Sequence, residues 1–400
     1  MRKLASIQRV INVRPIPGAD LIEAVDVLGW TVVCKKGQFA VGDLCVYFEI
    51  DSFLNADDER YASFEDRFTN WGTKRGMRLK TIKLRKQISQ GLIMPISGYF
   101  ELSPSVRMNP VVEGEDVTEL LKIEKWEPAE EATSNAGGIG KVAGSKPFPS
   151  FLRKTDQERV QNYIGELPKV ADQSFEVTIK LDGSSMTIFH VNKLSPHYAH
   201  AAEDIEVRAV KRMSWFGKKW HAIKKAVGLV QTPTFIDGLC SRNIQLDIND
   251  GNHFSQYVRE HCLLEALENY GQNIAVQGEL IAPSIQGNYE KVAGFEFYVY
   301  DVFDIDAQGY HSPEVAREIV KALGLKYVPV LQHGAMLVDF GFAEGTPVRD
   351  VVDNILAFAE GDGMNKGVKR EGVVFKSNGS EFSFKAISNS YLLHKEKKAA

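Results

Sequence analysis

The segment Phe175-Glu176-Val177-Thr178-Ile179-Lys180-Leu181-Asp182-Gly183-Ser184-Ser185 joins an alternating apolar run to a lysine, a carboxylate, a glycine and two serines. The alternation of Phe175, Val177 and Ile179 predicts a β-strand ending at Lys180. The end of a buried strand is a costly place for a charge, and a lysine whose pKa is lowered there becomes a nucleophile. Asp182, Gly183, Ser184 and Ser185 add a carboxylate, a tight turn and a pair of hydroxyls. Together these residues have what is needed to attack a phosphoanhydride and hold a metal ion nearby. A Lys-x-Asp-Gly tetrapeptide also arises by chance as a β-turn with a solvated lysine, so the partners elsewhere in the chain decide between the two readings.

The chain has 400 residues, enough for two or three domains, and its apolar fraction of 44% is ordinary for globular protein. No apolar run has the length of a bilayer span, and Met1-Arg2-Lys3-Leu4-Ala5-Ser6-Ile7 turns polar too early for a secretory leader. Cys34, Cys45, Cys240 and Cys262 are far apart and form no Cys-x-x-Cys pair, which predicts reduced, mostly buried thiols in an intracellular, cytoplasmic protein. The net charge of −4 does not advertise a polyanion partner, but averages hide patches.

Residues 1–126 read as all-β. Short runs at Ile22–Val27, Trp30–Lys35, Leu44–Ile50, Arg78–Leu84 and Gly91–Pro95 are separated by turn signals such as Pro17-Gly18-Ala19-Asp20 and Val41-Gly42-Asp43. About five such strands suit a small barrel of the OB type. Residues 127–147 read as a glycine-rich, polar, flexible linker. Its Gly138-Ile139-Gly140-Lys141 is not a phosphate loop, because no strand precedes it and no Ser or Thr follows the lysine. From residue 148 to 400 the pattern mixes strands and helices. Helices are expected near Asp156–Ile164, at Pro313–Leu323 and at Val348–Glu360. Strands are expected at Ile274–Ile281, Phe295–Phe303, Gly372–Lys376 and Glu381–Ala386.

Five short blocks follow Lys180 in order: Ser241-Arg242-Asn243, Gly278-Glu279-Leu280, Phe297-Tyr298-Val299-Tyr300-Asp301, Glu371-Gly372-Val373-Val374-Phe375-Lys376, and Phe382-Ser383-Phe384-Lys385. Each alone has a bland reading as a core strand, a turn or a solvated edge. Their ordered recurrence resembles the motifs of the covalent nucleotidyltransferases, which comprise ATP-dependent RNA ligases, DNA ligases and capping guanylyltransferases. The resemblance runs from about residue 148 to 390. Gly42-Asp43, Tyr47 to Ser52, Leu84-Arg85 and Gln90-Gly91-Leu92 extend it to the RNA-ligase group that carries an OB module before the transferase domain. DNA ligases and capping enzymes place an OB domain after the last block, whereas fifteen residues follow Lys385 here.

The resemblance implies an α+β architecture: an N-terminal OB-like barrel, then an adenylyltransferase domain of ATP-grasp-like antiparallel sheets with helices. It implies that Lys180 takes AMP from ATP with Mg²⁺ or Mn²⁺, passes it to a 5′-phosphate, and lets a 3′-hydroxyl displace it at nicks in RNA. Asp182, Glu279 and Glu371 would hold the metal and its waters. Glu279 or Arg242 would bind the ribose, Phe297 would stack on adenine, and the backbone of Thr178 and Ile179 would read the adenine edge. Asp182 and Gly183 complete the nucleotide site, Lys376 and Lys385 would neutralise the α-phosphate, and Arg159 would meet the triphosphate or the RNA end. Ser383 stands where many RNA ligases have a further lysine. A monomer without a membrane partner is expected.

Between Lys74 and Lys86 lie seven basic residues and no acidic one, including Arg75, Arg78, Lys80, Lys83 and Arg85. On one strand face of an OB barrel they suit nucleic acid; the alternative is a solvated edge strand guarded by its charges. A second basic region, Arg208 to Lys225, interleaves Lys218 and other cations with Trp215, Phe216 and Trp220. It reads either as a nucleic-acid grip or as a helix whose aromatics dock on the core. Two rivals stay open at this stage: a ligase for DNA or hybrid nicks, and a non-catalytic nucleic-acid-binding protein on the same scaffold.

Overall fold

A computed structural model describes residues 3–97, 111–126, 146–202, 214–216, 218–220 and 233–398. The expected linker therefore lies almost wholly outside the described residues, as does most of the 208–225 region.

The first eleven strands are β1 Ala5–Pro15, β2 Ile22–Val27, β3 Trp30–Lys35, β4 Leu44–Phe48, β5 Ser52–Asn55, β6 Thr69–Trp71, β7 Lys74–Arg78, β8 Thr81–Leu84, β9 Gln87–Gln90, β10 Leu92–Pro95 and β11 Glu124–Lys125. They pair only among themselves, as sheets β10-β4-β1-β2-β3 and β11-β5-β7-β6 and the hairpin β8-β9. Ile7, Val46, Phe48, Leu54 and Tyr61 fill one core; Val10, Val25, Trp30, Val32 and Tyr47 fill a second. The single strand expected at Arg78–Leu84 is two. Arg78 closes β7, Leu79 turns inward, and Lys80 lies between strands, so Arg78 and Lys80 do not share a strand face.

The remaining strands are β12 Lys146–Pro147, β13 Glu158–Arg159, β14 Phe175–Lys180, β15 Ser184–Asn192, β16 Phe235–Ser241, β17 Ile244–Leu246, β18 Ile274–Ile281, β19 Glu296–Asp304, β20 Gly309–Tyr310, β21 Lys326–Tyr327, β22 Val330–Ala335, β23 Gly372–Ser377 and β24 Ser383–Ile387. They form an eight-stranded sheet, β12-β17-β16-β15-β18-β19-β20 with β21 beside β19, and a five-stranded sheet, β13-β24-β23-β14-β22. Helices among the described residues include α1 His253–Glu260, α2 Leu263–Tyr270, α3 Pro313–Ala322, α4 Val348–Ala359 and α5 Asn389–Lys398. Ser312 caps α3 by accepting the Val315 N–H, with Pro313 at its first turn.

Each sheet buries one face under helices. Val276, Leu280, Phe297 and Val299 pack on Phe254, Val258, Leu267 and Ile319 of α1, α2 and α3. Phe175, Val177, Phe375 and Phe384 pack on Val351, Val352 and Ile355 of α4. Because strand side chains alternate, Glu176, Thr178 and Lys180 point to the opposite face, toward the larger sheet. Glu176 accepts the Tyr327 hydroxyl at 3.0 Å from that sheet. A polar cleft between two sheets is thus a direct product of the alternation in β14.

The helix expected near Asp156–Ile164 does not form. Glu158 and Arg159 pair in parallel with Phe384 and Lys385, and only a 3₁₀ turn, Val160–Tyr163, follows. The open edge of β24 captures this backbone, and ladder bonds there replace helical ones. The same segment meets the N-terminal strands. The Trp30 indole donates to Asn162 Oδ1 at 2.6 Å, the Gly29 N–H donates to Gln161 O at 2.8 Å, and Arg349 of α4 donates to Trp30 O and Thr31 Oγ1. A Cβ on Gly29 would lie 2.6 Å from the Gln161 backbone, so only glycine permits this approach.

Candidate active site

Lys180 ends β14 opposite Gly372, which places the preceding Glu371 beside it; Lys180 Nζ donates to Glu371 Oε2 at 2.9 Å. The chain then turns through Leu181, Asp182 and Gly183 into β15, whose Ser185 pairs with Glu279 on β18. Two buried carboxylates fix that turn from below. Glu279 Oε1 accepts the Gly183 N–H at 3.1 Å, and Glu290 Oε1 accepts the Asp182 N–H at 3.1 Å. A Cβ at Gly183 would lie 2.6 Å from Leu280 O, so the tetrapeptide's glycine answers a close backbone approach. Glu290 was not found from the sequence, because nothing in Tyr289-Glu290-Lys291 marks it. Its burial at 1% exposure appears only once the fold closes.

The electrostatics differ from the sequence expectation for Lys180. Burial lowers its pKa, but the carboxylates of Glu371, Glu279 and Asp182 outweigh burial and hold the ammonium above its ordinary value. In turn, burial pushes Glu279 up to about 8 and Glu290 up to about 7, and raises Glu371. Asp182, Glu279 and Glu371 surround Lys180, but among the described residues no three acidic, His or Cys side chains stand close enough to chelate one ion directly. This donor set fits a hard divalent cation that keeps its waters and is held through them.

Lys385 is a second cation that the fold brings toward Lys180. Its neighbour across the parallel pair is Arg159, which is 7% exposed, with its guanidinium 5.7 Å from the Trp30 ring centre. Lys385 Nζ donates to Asp156 Oδ1 at 2.8 Å, and Arg242 donates to Asp156 Oδ2 at 3.1 Å. Burial lowers Lys385 to about 8 against the pull of Asp156, while Lys385 and Arg242 overcome the burial of Asp156 and hold it at about 2.

Two expected nucleotide contacts are corrected. Phe297 is 1% exposed and packs under α1, because it pairs with Leu280 and shares that residue's core face. Its neighbour Tyr298 pairs with Glu279 and packs at the edge of the cluster that contains Ile179, Leu181 and Ile281. The β18–β19 register, which is known only from the structure, places Tyr298 opposite Glu279. Lys376 is tied to Asp301 at 2.6 Å and to the Tyr300 carbonyl. It lies four residues along β23 from Gly372, about 13 Å at ~3.3 Å per residue, so it serves the inter-sheet core and not the α-phosphate. Thr178 and Ile179 are buried, and the Ile179 N–H is taken by Pro329 O at 2.9 Å.

The basic residues of the N-terminal part divide. Arg78 is pinned by Asp51 at 2.7 Å and by Glu396 of α5 at 3.3 Å, and lies 4.0 Å over the Trp126 ring; Lys80 also meets Glu396 at 3.3 Å. Arg75 lies 3.7 Å from Glu65. Lys83 and Arg85 are exposed on the β8-β9 hairpin. In the second basic region, Trp215, Phe216 and Trp220 are 61%, 77% and 61% exposed, and Lys218 is exposed beside them, so these aromatics do not dock on the core. Cys45 and Cys240 are buried as expected, and Cys262 is exposed. No helix among the described residues is long and apolar enough to cross a membrane.

Comparison with known proteins places this geometry. A family model described as an OB-fold domain matches residues 4–96, and one described as RNA ligase matches residues 173–387, just over half of the 400. A solved Naegleria gruberi RNA ligase variant without ligand is 38% identical, with a TM-score of 0.76 over 99% of each chain. The Naegleria gruberi RNA ligase with PPi is 38% identical, with a TM-score of 0.76 over 99% of this chain and 100% of that one. A variant of it solved with ATP and Mn is 37% identical, with a TM-score of 0.74 over 98% and 99%. A comparison with curated protein sequences returned no match. With a ligase model over its second half and this identity along nearly all of its length, the chain belongs to the RNA ligase family, with an OB-fold domain ahead of the ligase domain.

Proposed function

We propose that this RNA ligase uses ATP and Mg²⁺ or Mn²⁺ to join 3′-hydroxyl and 5′-phosphate ends of RNA at duplex nicks through a lysyl-AMP intermediate on Lys180. One observation carries the reading: Lys180 Nζ stands 2.9 Å from Glu371 at the mouth of a turn locked by Glu279 and Glu290. Relatives solved with ATP and Mn and with AMP and Mn support the nucleotide and metal assignments.

Nucleophilic attack needs a neutral Nζ, whereas the surrounding carboxylates keep it protonated. Asp182, Glu279 and Glu371 would hold a divalent ion through its waters, and its charge would disfavour the ammonium and offset the α-phosphate. Glu371, with its pKa raised by burial, aims Nζ and is placed to take its proton. Lys385 and Arg159, neighbours across β13 and β24, would meet the phosphate charge that develops. Tyr298 offers the aromatic face for adenine, against Ile179 and Leu181. Lys83 and Arg85, and Lys218 with Trp220, give exposed cations and ring faces for the polynucleotide.

The test is incubation with ATP labelled at the α-phosphate and Mg²⁺. A covalent protein–AMP adduct forms in the wild type and is abolished by Lys180→Ala. An undiminished adduct in that variant, or none in the wild type, overturns the reading. Sealing of RNA-ended against DNA-ended nicks then decides the strand preference.

A further inference from the structure

The seven basic residues between Lys74 and Lys86 divide by partner. Lys74 meets Glu124, Arg75 meets Glu65, Arg78 meets Asp51, and Lys80 meets Glu396. Lys83, Arg85 and Lys86 are exposed, and their side chains make no ion pair or hydrogen bond among the described residues. All three lie on the β8-β9 hairpin, whose strands pair only with each other. Leu84 pairs with Gln87, so Arg85 and Lys86 are the whole connection. Both have positive φ, 47° and 69°. Two such residues mark a type I′ turn, whose positions favour Asn and Gly because a larger side chain is strained there. The turn thus carries strain without any return from contacts of these side chains within the described chain. Strain kept where local chemistry would remove it points to a use for the residues that bear it. The base of the hairpin, in contrast, is firmly held. Ser89 Oγ accepts the Val33 N–H at 2.9 Å, and Gln90 Nε2 donates to Thr81 Oγ1 and to Asn389 Oδ1, both at 3.2 Å. Ser388, next to Asn389, donates its N–H to Glu371 O at 2.8 Å, so the base is tied to the strand that faces Lys180.

We infer that the tip of the β8-β9 hairpin is a pin that grips the phosphodiester backbone of the RNA duplex on one flank of the nick. This deepens the reading of the chain as a sealer of nicked duplexes and rests on it. The three cations face solvent with no carboxylate to answer them, which leaves their charge for a polyanion. Thr81 to Gln90 contains no aromatic residue. The hairpin therefore has nothing on which unpaired bases could stack, as a single-strand groove would. A duplex hides its bases and presents phosphates and 2′-hydroxyls, which are what Lys and Arg can meet. The tip is four residues from Gln90, about 13 Å at ~3.3 Å per residue. From an anchor beside Glu371, that reach suits a flank of the duplex and not the reacting ends. The pin accordingly serves the steps that act on the polynucleotide and has no part in the capture of AMP.

The test sets stability against binding in the full-length protein. Arg85→Asn with Lys86→Gly installs the residues that the turn prefers and removes both charges. It is expected to raise the melting temperature by about 2–4 °C, as relief of strain requires. The same variant is expected to weaken binding of a nicked RNA duplex roughly fivefold or more, and to lower the slope of log K against log salt by about 1–2. Arg85→Gln with Lys86→Gln keeps long side chains and is expected to weaken binding equally, which separates charge from turn shape. Protein–AMP formation is expected to stay at the wild-type level in both. Unchanged Kd and salt slope for the duplex overturn the inference. So does an equal loss on single-stranded RNA, a loss confined to the Asn-Gly variant, or a parallel fall in protein–AMP formation, which would assign the tip to ATP. The binding arm needs no adduct, so a wild type that binds the duplex and forms no protein–AMP counts against the lysyl-AMP reading alone.

Discussion

Lys395 Nζ, on the last helix, lies 3.4 Å from Asp182 Oδ1, two residues after Lys180. The same amine donates to the Tyr391 hydroxyl at 2.8 Å, so α5 holds a tethered cation against one of the carboxylates assigned to the metal's waters. Lys395 is half exposed, and such a pair contributes at most about 1 kcal/mol, roughly a factor of five. Lys395→Ala is expected to lower the Mg²⁺ concentration for half-maximal protein–AMP formation by about two- to fivefold. A Mg²⁺ titration that gives a higher requirement would mean that Lys395 orders Asp182 and does not compete with the ion.

The residue after Lys395 makes a different contact. Glu396 neutralises Arg78 and Lys80, two cations of the N-terminal strands. Glu396→Ala is expected to tighten RNA binding and steepen its salt dependence, by up to ~0.9 in log K per log salt for each cation freed to meet a phosphate. Fluorescence anisotropy across a salt series measures this. An unchanged slope would show that Asp51 and Trp126 alone suffice to keep Arg78 from the polyanion.

Adjacent aromatics on β19 are expected to separate stability from binding. Phe297→Ala opens a cavity in the packed face under α1 and costs about 3–5 kcal/mol, seen as a large fall in melting temperature. Tyr298→Ala removes a stacking face worth ~1–3 kcal/mol and raises the KM for ATP by roughly one order of magnitude. Phe297→Leu keeps the core filled, so its KM for ATP stays near that of the wild type. The reverse pattern would return the adenine contact to Phe297.

Lys385 sets a pH limit. With its pKa near 8, its ammonium is present below that pH and is lost as pH rises through it. ATP binding, measured as Kd in Lys180→Ala so that no adduct forms, is expected to weaken several-fold between pH 7 and pH 9. Asp156 holds the Lys385 value up, so Asp156→Asn shifts the midpoint below 8. A midpoint that moves upward in this variant would exclude Lys385 as the titrating group.

Much of the scaffold was legible because it depends on local pattern. The strands at Phe175–Lys180, Ile274–Ile281 and Gly372–Ser377 and the helices α3 and α4 follow the alternation and periodicity of their side chains. The ordered blocks located Lys180, Glu279 and Glu371 for the same reason. Glu158–Arg159 was misread because a helical pattern lost to the free edge of β24. The face of Phe297 was not legible because it depends on the β18–β19 register, which pairs it with the core residue Leu280.

The sequence by itself determined the strand that ends at Lys180, the OB-type module ahead of it and the family. All of these reside in residue types at short spacing. Only the tertiary structure decided which charges remain available. Packing two sheets face to face took Lys376 into Asp301 and buried Glu290 under the turn of Asp182, and the last helix set Glu396 against Arg78 and Lys80. It also left Gln277 Oε1 without a donor. Whether a charge or a polar atom is satisfied depends on what packs opposite it, and those partners come from strands and helices up to several hundred residues away.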